Sequence, residues 1–109
     1  MKRGDVWWVC FDPSVGTEIQ KTRPAVIVSN DYANAALDRL VVIPLTSNTS
    51  RVYPGECIVN TGLKLGKAMS DQITAIDKSR IKGYMGTLSA EDMLKVDEAL
   101  RLHLGLGPY

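Results

Sequence analysis

The sequence predicts an α+β fold: a small, curled β-sheet or barrel of five to seven short strands, a short helix after the second strand, and a C-terminal amphipathic helix. Three observations carry that reading. Short stretches rich in β-branched and aromatic residues recur from Asp5 to Gly86. Turn formers such as Asp12-Pro13 and Thr61-Gly62 punctuate them. From Ser89 onward the apolar spacing changes to three and four, the period of a helix. At 109 residues the chain is expected to form one domain over residues 1–109, too small to offer a polymer much of a groove without a second copy.

Asp5-Val6-Trp7-Trp8-Val9-Cys10-Phe11 reads as the first strand, stopped by Asp12-Pro13. Ser14 to Thr22 is a polar loop containing Gly16. Pro24 then suits the first residue of a buried strand, Ala25-Val26-Ile27-Val28-Ser29, and biases Arg23 before it toward an extended backbone. Asn30 or Asp31 can cap a helical segment from Tyr32 to Leu37. Leu40 to Thr46 forms the next strand, where Pro44 argues for an edge or a bulge. Arg51 to Pro54 reads as loop, and Glu56-Cys57-Ile58-Val59, Gly66-Lys67-Ala68-Met69 and Gln72 to Asp77 as further strands, with Tyr84-Met85-Gly86 a weaker one. Ser89-Ala90-Glu91-Asp92 is a variant capping box, and Met93, Val96, Leu100, His103 and Leu104 mark the apolar face of the helix it opens. Gly105 or Gly107 should close that helix, with Pro108 blocking continuation.

Composition removes several function classes. The chain opens Met1-Lys2-Arg3-Gly4-Asp5 without an apolar signal region, and no apolar run approaches the roughly 18 residues that span a membrane, so a cytoplasmic protein is expected. Cys10 and Cys57 lack the spacing of a redox or zinc site and are expected as reduced, mostly buried thiols. The net charge of +1 does not announce a nucleic-acid binder. Its distribution is uneven: Met1 to Leu88 holds 11 Lys and Arg against 8 Asp and Glu, a balance of +3, whereas Ser89 to Tyr109 holds 2 against 4, a balance of −2. A mildly basic body of this kind permits contact with a few phosphates, and is equally what an ordinary solvated surface looks like.

The single histidine, His103, falls on the apolar helix face, where packing or an interface is its expected role, so histidine-pair acid–base chemistry and a Ser-His-Asp triad are both excluded. No His, Cys, Asp or Glu residues stand at metal-ligand spacing and no glycine-rich phosphate loop occurs, so neither a metal nor another cofactor is expected. What remains is a set of polar residues at strand ends and in one loop: Thr17, Glu18, Lys21 and Arg23, then Thr46, Ser47 and Asn48. Arginine there can bind two phosphate oxygens with its fixed fork and stabilise charge as a phosphorane forms. Arg23 also reads as a surface arginine, and Thr46 as a strand-end turn residue.

Four ordered pieces of the chain resemble one family. Arg3-Gly4-Asp5-Val6-Trp7-Trp8-Val9, the Val15-Gly16-Thr17-Glu18 stretch and Thr22-Arg23-Pro24-Ala25-Val26-Ile27-Val28-Ser29-Asn30-Asp31 are similar to the opening of the MazF/PemK toxins of bacterial toxin–antitoxin systems. Ile43-Pro44-Leu45-Thr46-Ser47-Asn48 resembles that family's second motif, Ser70-Asp71-Gln72-Ile73-Thr74-Ala75-Ile76-Asp77-Lys78-Ser79-Arg80-Ile81 its third, and Val96-Asp97-Glu98-Ala99-Leu100 its terminal helix. The resemblance implies an SH3-like β-barrel, a homodimer, and ribosome-independent, metal-independent cleavage of single-stranded RNA at a short preferred sequence. Attack by the ribose 2′-hydroxyl on the adjacent phosphate would leave a cyclic phosphate and a free 5′-hydroxyl. It places the catalytic pair on Arg23 and Thr46, and a separately encoded antitoxin with an acidic, disordered tail would neutralise the toxin.

Within that reading Arg23 stabilises the phosphorane, and Thr46 hydrogen-bonds the phosphate or orients the 2′-hydroxyl. Neither is a good general base; Glu18 is the nearest candidate, and a merely solvated glutamate is the other reading of it. Thr17, Lys21, Ser47, Asn48 and Gln72 are the expected RNA contacts alongside Glu18. The chain departs from the family where many members carry Gln-Gly-Gly between the glutamate and the arginine: it has Ile19-Gln20-Lys21, a loop less permissive in conformation and one charge richer. The first loop also lacks the histidine of some relatives. Two other readings are a toxin of the same barrel that poisons a protein such as DNA gyrase without cutting anything, and a degenerate decoy.

Overall fold

The computed structural model describes residues 1–107 and contains seven strands, all paired antiparallel, with two α-helices. The strands are β1 (Asp5–Cys10), β2 (Thr22–Ile27), β3 (Arg39–Thr46), β4 (Glu56–Asn60), β5 (Leu65–Met69), β6 (Thr74–Asp77) and β7 (Ile81–Thr87). Helix α1 spans Asp31–Ala36 and α2 spans Ala90–Leu104. The sheet order is β4-β5-β3-β2-β1-β7, with β6 also on β3. The α+β fold is therefore the one expected, at the upper end of the strand count.

The longest strand bends the sheet. Along one edge β3 pairs first with β6, through Arg39 to Val42, and then with β5, through Leu45 and Thr46. Backbone polarity alternates along a strand, and the Val41 carbonyl accepts from Val28 N–H on the β2 side. Pro44 therefore turns its nitrogen to the opposite edge, into the gap between β6 and β5, where no ladder bond is lost. The proline expected at an edge or bulge is in a central strand, fully buried, at the corner where its partner changes.

A second proline ends a ladder. Pro24 is the third residue of β2 rather than its first, because Thr22 and Arg23 already pair with Cys10 and Val9 of β1. The Lys21 and Ile27 carbonyls accept from Phe11 and Gly4 on the β1 side, so the even-numbered Pro24 faces β3. It has no N–H to give Leu45, and β2–β3 pairing stops one residue short, at Ala25 opposite Pro44. The head of β2 and the tail of β3 part there.

Both faces of the sheet are buried. Val6, Val26, Ile43, Leu45, Val59, Ala68 and Val96 form one cluster, joining the sheet to α2. Val9, Phe11, Ala25, Ile27, Leu40, Val42 and Ile76 form the other, with Ile19 of the first loop packed against it. At about 25 cal/mol per Å², fully burying each such aliphatic side chain contributes roughly 1.5–3 kcal/mol.

Local signals act where expected. Ser89 caps α2 by accepting from Asp92 N–H at 3.0 Å, Asn30 caps α1 through Ala33 N–H at 2.8 Å, and Gly105 closes α2 at φ 70°. Pro108 lies outside the described residues. The end of α2 departs from expectation: His103 and Leu104 are exposed, because the last turn runs past the core contacts of Val96 and Ala99. Gln72 is not in a strand; Ser70–Gln72 make a 3-10 turn and β6 begins at Thr74. The weak Tyr84-Met85-Gly86 signal is the middle of a seven-residue strand held on β1, with Trp7 and Tyr84 packed edge to face at 5.2 Å between centroids. Cys10 and Cys57 are free but only half-buried; burial raises the Cys57 thiol pKa, with Lys95 lowering and Asp92 raising it further. No helix among the described residues is long and apolar enough to cross a membrane.

Candidate active site

The parting of β2 and β3 opens a cavity of about 150 Å³ lined by Arg23, Thr46 and Ser47, with Trp8, Thr22, Thr61 and Lys64 around them. Its geometry follows from the register. Pairing of Val26 with Ile43 and of Ala25 with Pro44, continued two positions past the proline, brings Arg23 opposite Thr46. Strand alternation puts both side chains on the face that carries Ala25, Ile27 and Val42. Arg23 near the head of β2 and Thr46 at the tail of β3 thus lie across the parting from one another, each paired on its other side, with Val9 of β1 and Lys67 of β5.

Arg23 is half-buried and held by one bond from its own loop, Nε donating to the Gln20 carbonyl at 3.1 Å. That leaves the N–H groups of both terminal nitrogens free to bind oxygen. Thr46 Oγ1 accepts from Asn48 N–H at 3.3 Å, so its own O–H can donate. Neither Arg23 nor Lys64 makes an ion pair among the described residues, where the four salt bridges are Arg3–Asp97, Lys67–Glu56, Lys95–Asp92 and Arg101–Glu98. Among the described residues no carboxylate lines the cavity. Two cations without carboxylate partners among the described residues, in one cavity with a hydroxyl, make an anion site, and the exposed Trp8 on the same lining offers a base a surface on which to stack.

A larger hollow of about 500 Å³ lies under the first loop, and it takes three other expected contacts: Thr17, Glu18 and Gln72, together with Phe11, Asp71 and Arg80. Glu18 is tied into its own turn, one carboxylate oxygen accepting from Val15 N–H at 2.8 Å. It lines this hollow and not the one that holds Arg23. Arg80 donates to the carbonyls of Cys10 at 3.1 Å and Asp12 at 2.6 Å, pinning the loop's base. Lys21 and Asn48 line neither hollow. Lys21 has φ 69° and donates its N–H to Asp12 Oδ1 at 3.0 Å, while Asn48 Oδ1 accepts from the N–H and hydroxyl of Ser50.

The loop after Thr46 has its own support. Lys67, opposite Thr46 on β5, is buried and donates from Nζ to the Arg51 carbonyl at 2.9 Å, pairs with Glu56 at 3.2 Å and lies 5.9 Å from the Tyr53 ring centroid. Sequence reasoning passed over Lys64, Lys67 and Trp8. The signal for Trp8 was its place beside Trp7 in a strand whose neighbours Val6 and Val9 are core, since two adjacent tryptophans cannot both face one side. Lys64 and Lys67 gave none, because their neighbours come from strand pairing across the sheet. Among the described residues no three His, Cys, Asp or Glu side chains come together as a metal-binding group.

Comparison with known proteins places these features in a lineage. Residues 2–104 match the family described as PemK-like, MazF-like toxin of type II toxin–antitoxin systems. The chain is 44% identical to endoribonuclease MazF9 of Mycobacterium tuberculosis over 115 residues, covering 97% of this chain and 98% of that protein. It is 32% identical to endoribonuclease MazF of Staphylococcus epidermidis over 114 residues, covering 100% and 95%. Among solved structures, a mycobacterial endoribonuclease in complex with its cognate antitoxin superposes with a TM-score of 0.85 at 25% identity, covering 100% of this chain and 99% of that one. MazF of Deinococcus radiodurans gives 0.86 at 26%, covering 97% of each.

Proposed function

The chain belongs to the PemK-like, MazF-like family of type II toxins, and from that premise we propose that it is a toxin endoribonuclease that cleaves single-stranded RNA with Arg23 and Thr46. The observation that carries the reading is the cavity where β2 and β3 part, in which Arg23 and Lys64, both without carboxylate partners among the described residues, share the walls with the Thr46 hydroxyl. The relatives named above are endoribonucleases, and nothing in them supports the gyrase-poisoning alternative.

The scissile phosphate sits between Arg23 and Lys64. The ribose 2′-hydroxyl attacks phosphorus and gives up its proton to solvent, the bond to the 5′-oxygen breaks and that oxygen takes a proton from solvent, and the products are a 2′,3′-cyclic phosphate and a 5′-hydroxyl. The two terminal nitrogens of Arg23 bind the non-bridging oxygens, whose negative charge grows as the phosphorane forms. Thr46 donates a hydrogen bond from its hydroxyl to the same phosphate. DNA lacks the 2′-hydroxyl and is spared. Among the described residues no carboxylate lines this cavity, so the assignment is one of charge stabilisation and orientation, with Glu18 held in its own turn and lining the other hollow. Thr17, Ser47, Asn48 and Lys21 contact flanking nucleotides, and sequence preference resides in the two loops that bear them.

A second copy of the chain and an antitoxin with an acidic, disordered tail are the proposed partners, in a cytoplasmic setting. Exposed leucines at 94, 102 and 104 along α2 support a protein partner, and the structural relative bound to its cognate antitoxin supports the second. The test is incubation of the purified protein with a long single-stranded RNA in excess EDTA, beside Arg23→Ala. The wild type should release fragments ending in cyclic phosphate, and the variant should be slower by about 10²–10³-fold. Uncut RNA with the wild type, or equal cutting by both, refutes the reading.

A further inference from the structure

Gln72 stands on one of the firmest supports in the molecule. The 3-10 turn that carries it begins at Ser70, which is fully buried, donates its N–H to the Gly55 carbonyl at 3.2 Å and accepts from Ile73 N–H at 3.1 Å. Ile73, next in sequence, packs against the core on the α2 side. From this anchor the Gln72 side chain reaches the first loop and holds it at two points of the backbone. Oε1 accepts from Ile19 N–H at 3.2 Å, and Nε2 donates to the Thr17 carbonyl at 3.2 Å. The residue after Ile19 is Gln20, whose carbonyl accepts from Arg23 Nε at 3.1 Å.

These bonds make a continuous chain from a buried turn to the guanidinium: Gln72 carboxamide, loop backbone at Thr17 and Ile19, Gln20 carbonyl, Arg23 Nε. We infer that Gln72 is a positioning residue that sets the direction of the Arg23 side chain by fixing the loop carbonyl to which it is tied. The inference rests on the proposal that Arg23 acts on the phosphate. It also revises the expectation that Gln72 is an RNA contact, since both ends of its carboxamide are engaged by the loop. Each bond is modest on its own. The effect comes from geometry, because a freed Gln20 carbonyl lets the arginine fork swing away from the reacting phosphate, and misplacement by about 1 Å can cost on the order of a hundredfold in rate.

The experiment compares Gln72→Met, which keeps the bulk and removes both hydrogen bonds, and Gln72→Glu, which keeps an acceptor for Ile19 N–H and sets a carboxylate against the Thr17 carbonyl. Each is made alone and on an Arg23→Ala background. Solvent exchange of the Arg23 Nε–H proton is read by NMR, and cleavage kinetics on a short RNA are read in parallel. Both single variants should fall about tenfold in kcat with KM within about twofold of the wild type, and Arg23 Nε–H exchange should quicken by about fivefold. On the Arg23→Ala background neither substitution should slow the reaction further. Unchanged Arg23 exchange overturns the inference. So does a loss that multiplies with Arg23→Ala, or a rise in KM at constant kcat, which are the marks of a side chain that touches RNA directly. A wild type that leaves RNA intact refutes the catalytic proposal alone, and the exchange measurement still decides the relay.

Discussion

Replacing Lys21 with glycine should stabilise the protein, an unusual direction for a lysine-to-glycine change. Lys21 is the one non-glycine residue with positive φ among those described, at 69°. It cannot relax, because its N–H is held by Asp12 Oδ1 at 3.0 Å and its carbonyl by Phe11 N–H at 2.9 Å. A left-handed conformation costs an L-residue roughly 1–2 kcal/mol. Glycine gives back about 0.4–1 kcal/mol through the greater freedom of its unfolded chain. The side chain is exposed, so little packing is lost. The net gain is about 1 kcal/mol, or roughly 4 °C in Tm for a domain of this size. Urea and thermal unfolding of wild type, Lys21→Gly and Lys21→Ala would measure it, since alanine removes the charge and keeps the strain. If glycine is no more stable than alanine, the strain argument fails.

Gly86→Ala should destabilise the protein by roughly 1–3 kcal/mol, because a Cβ there would stand 2.9 Å from the Thr61 carbonyl oxygen, a backbone atom fixed by its own turn. Gly83→Ala on the same strand, with its nearest contact at 3.9 Å, is the control and should change the urea midpoint little. Asp77 has a lowered pKa, chiefly because Ser79 N–H donates to its carboxylate, with the Ser79 hydroxyl, Arg39 and Arg80 adding to the effect against a small opposing desolvation. Its contribution to stability is therefore present above the ordinary value of 3.8 and is lost as pH falls through the lower folded value. The Tm difference between wild type and Asp77→Asn should accordingly shrink as pH is taken below about 4, and a difference that stays constant would contradict the assignment.

Much of the fold could be read because its signals are local. Ser89 and Asn30 cap helices through side chains within three residues of their targets, and the β-branched runs around Val26 and Ile43 are strands wherever they pair. Arg23 and Thr46 are singled out by motif order, and the strand register, extended past the last β2–β3 pair, supplies a geometric reason for their sharing one cavity. What escaped was whatever depends on partners distant in sequence. Gln72 reads as a strand residue in the sequence because nothing near it in the chain hints at its bonds to Thr17 and Ile19, more than fifty residues away. Pro44 was read as an edge signal because a sequence does not reveal that two different strands share one side of β3, leaving a gap between them. His103 keeps to the helical period, but it lies against Gly55 just before β4 and stays exposed instead of joining the core.

Pro24 also bears on when the site exists. A cleft that forms by fraying opens and shuts with temperature, salt or ligand, because its closed form is a competing set of hydrogen bonds. The β2–β3 ladder stops where a residue has no proton to donate, so zipping it further gains little and the open form has little to compete with. The cavity is written into the covalent chain rather than into a balance of weak forces. On the proposed reading a substrate would meet a cleft already formed, and would spend none of its binding free energy on prising two strands apart.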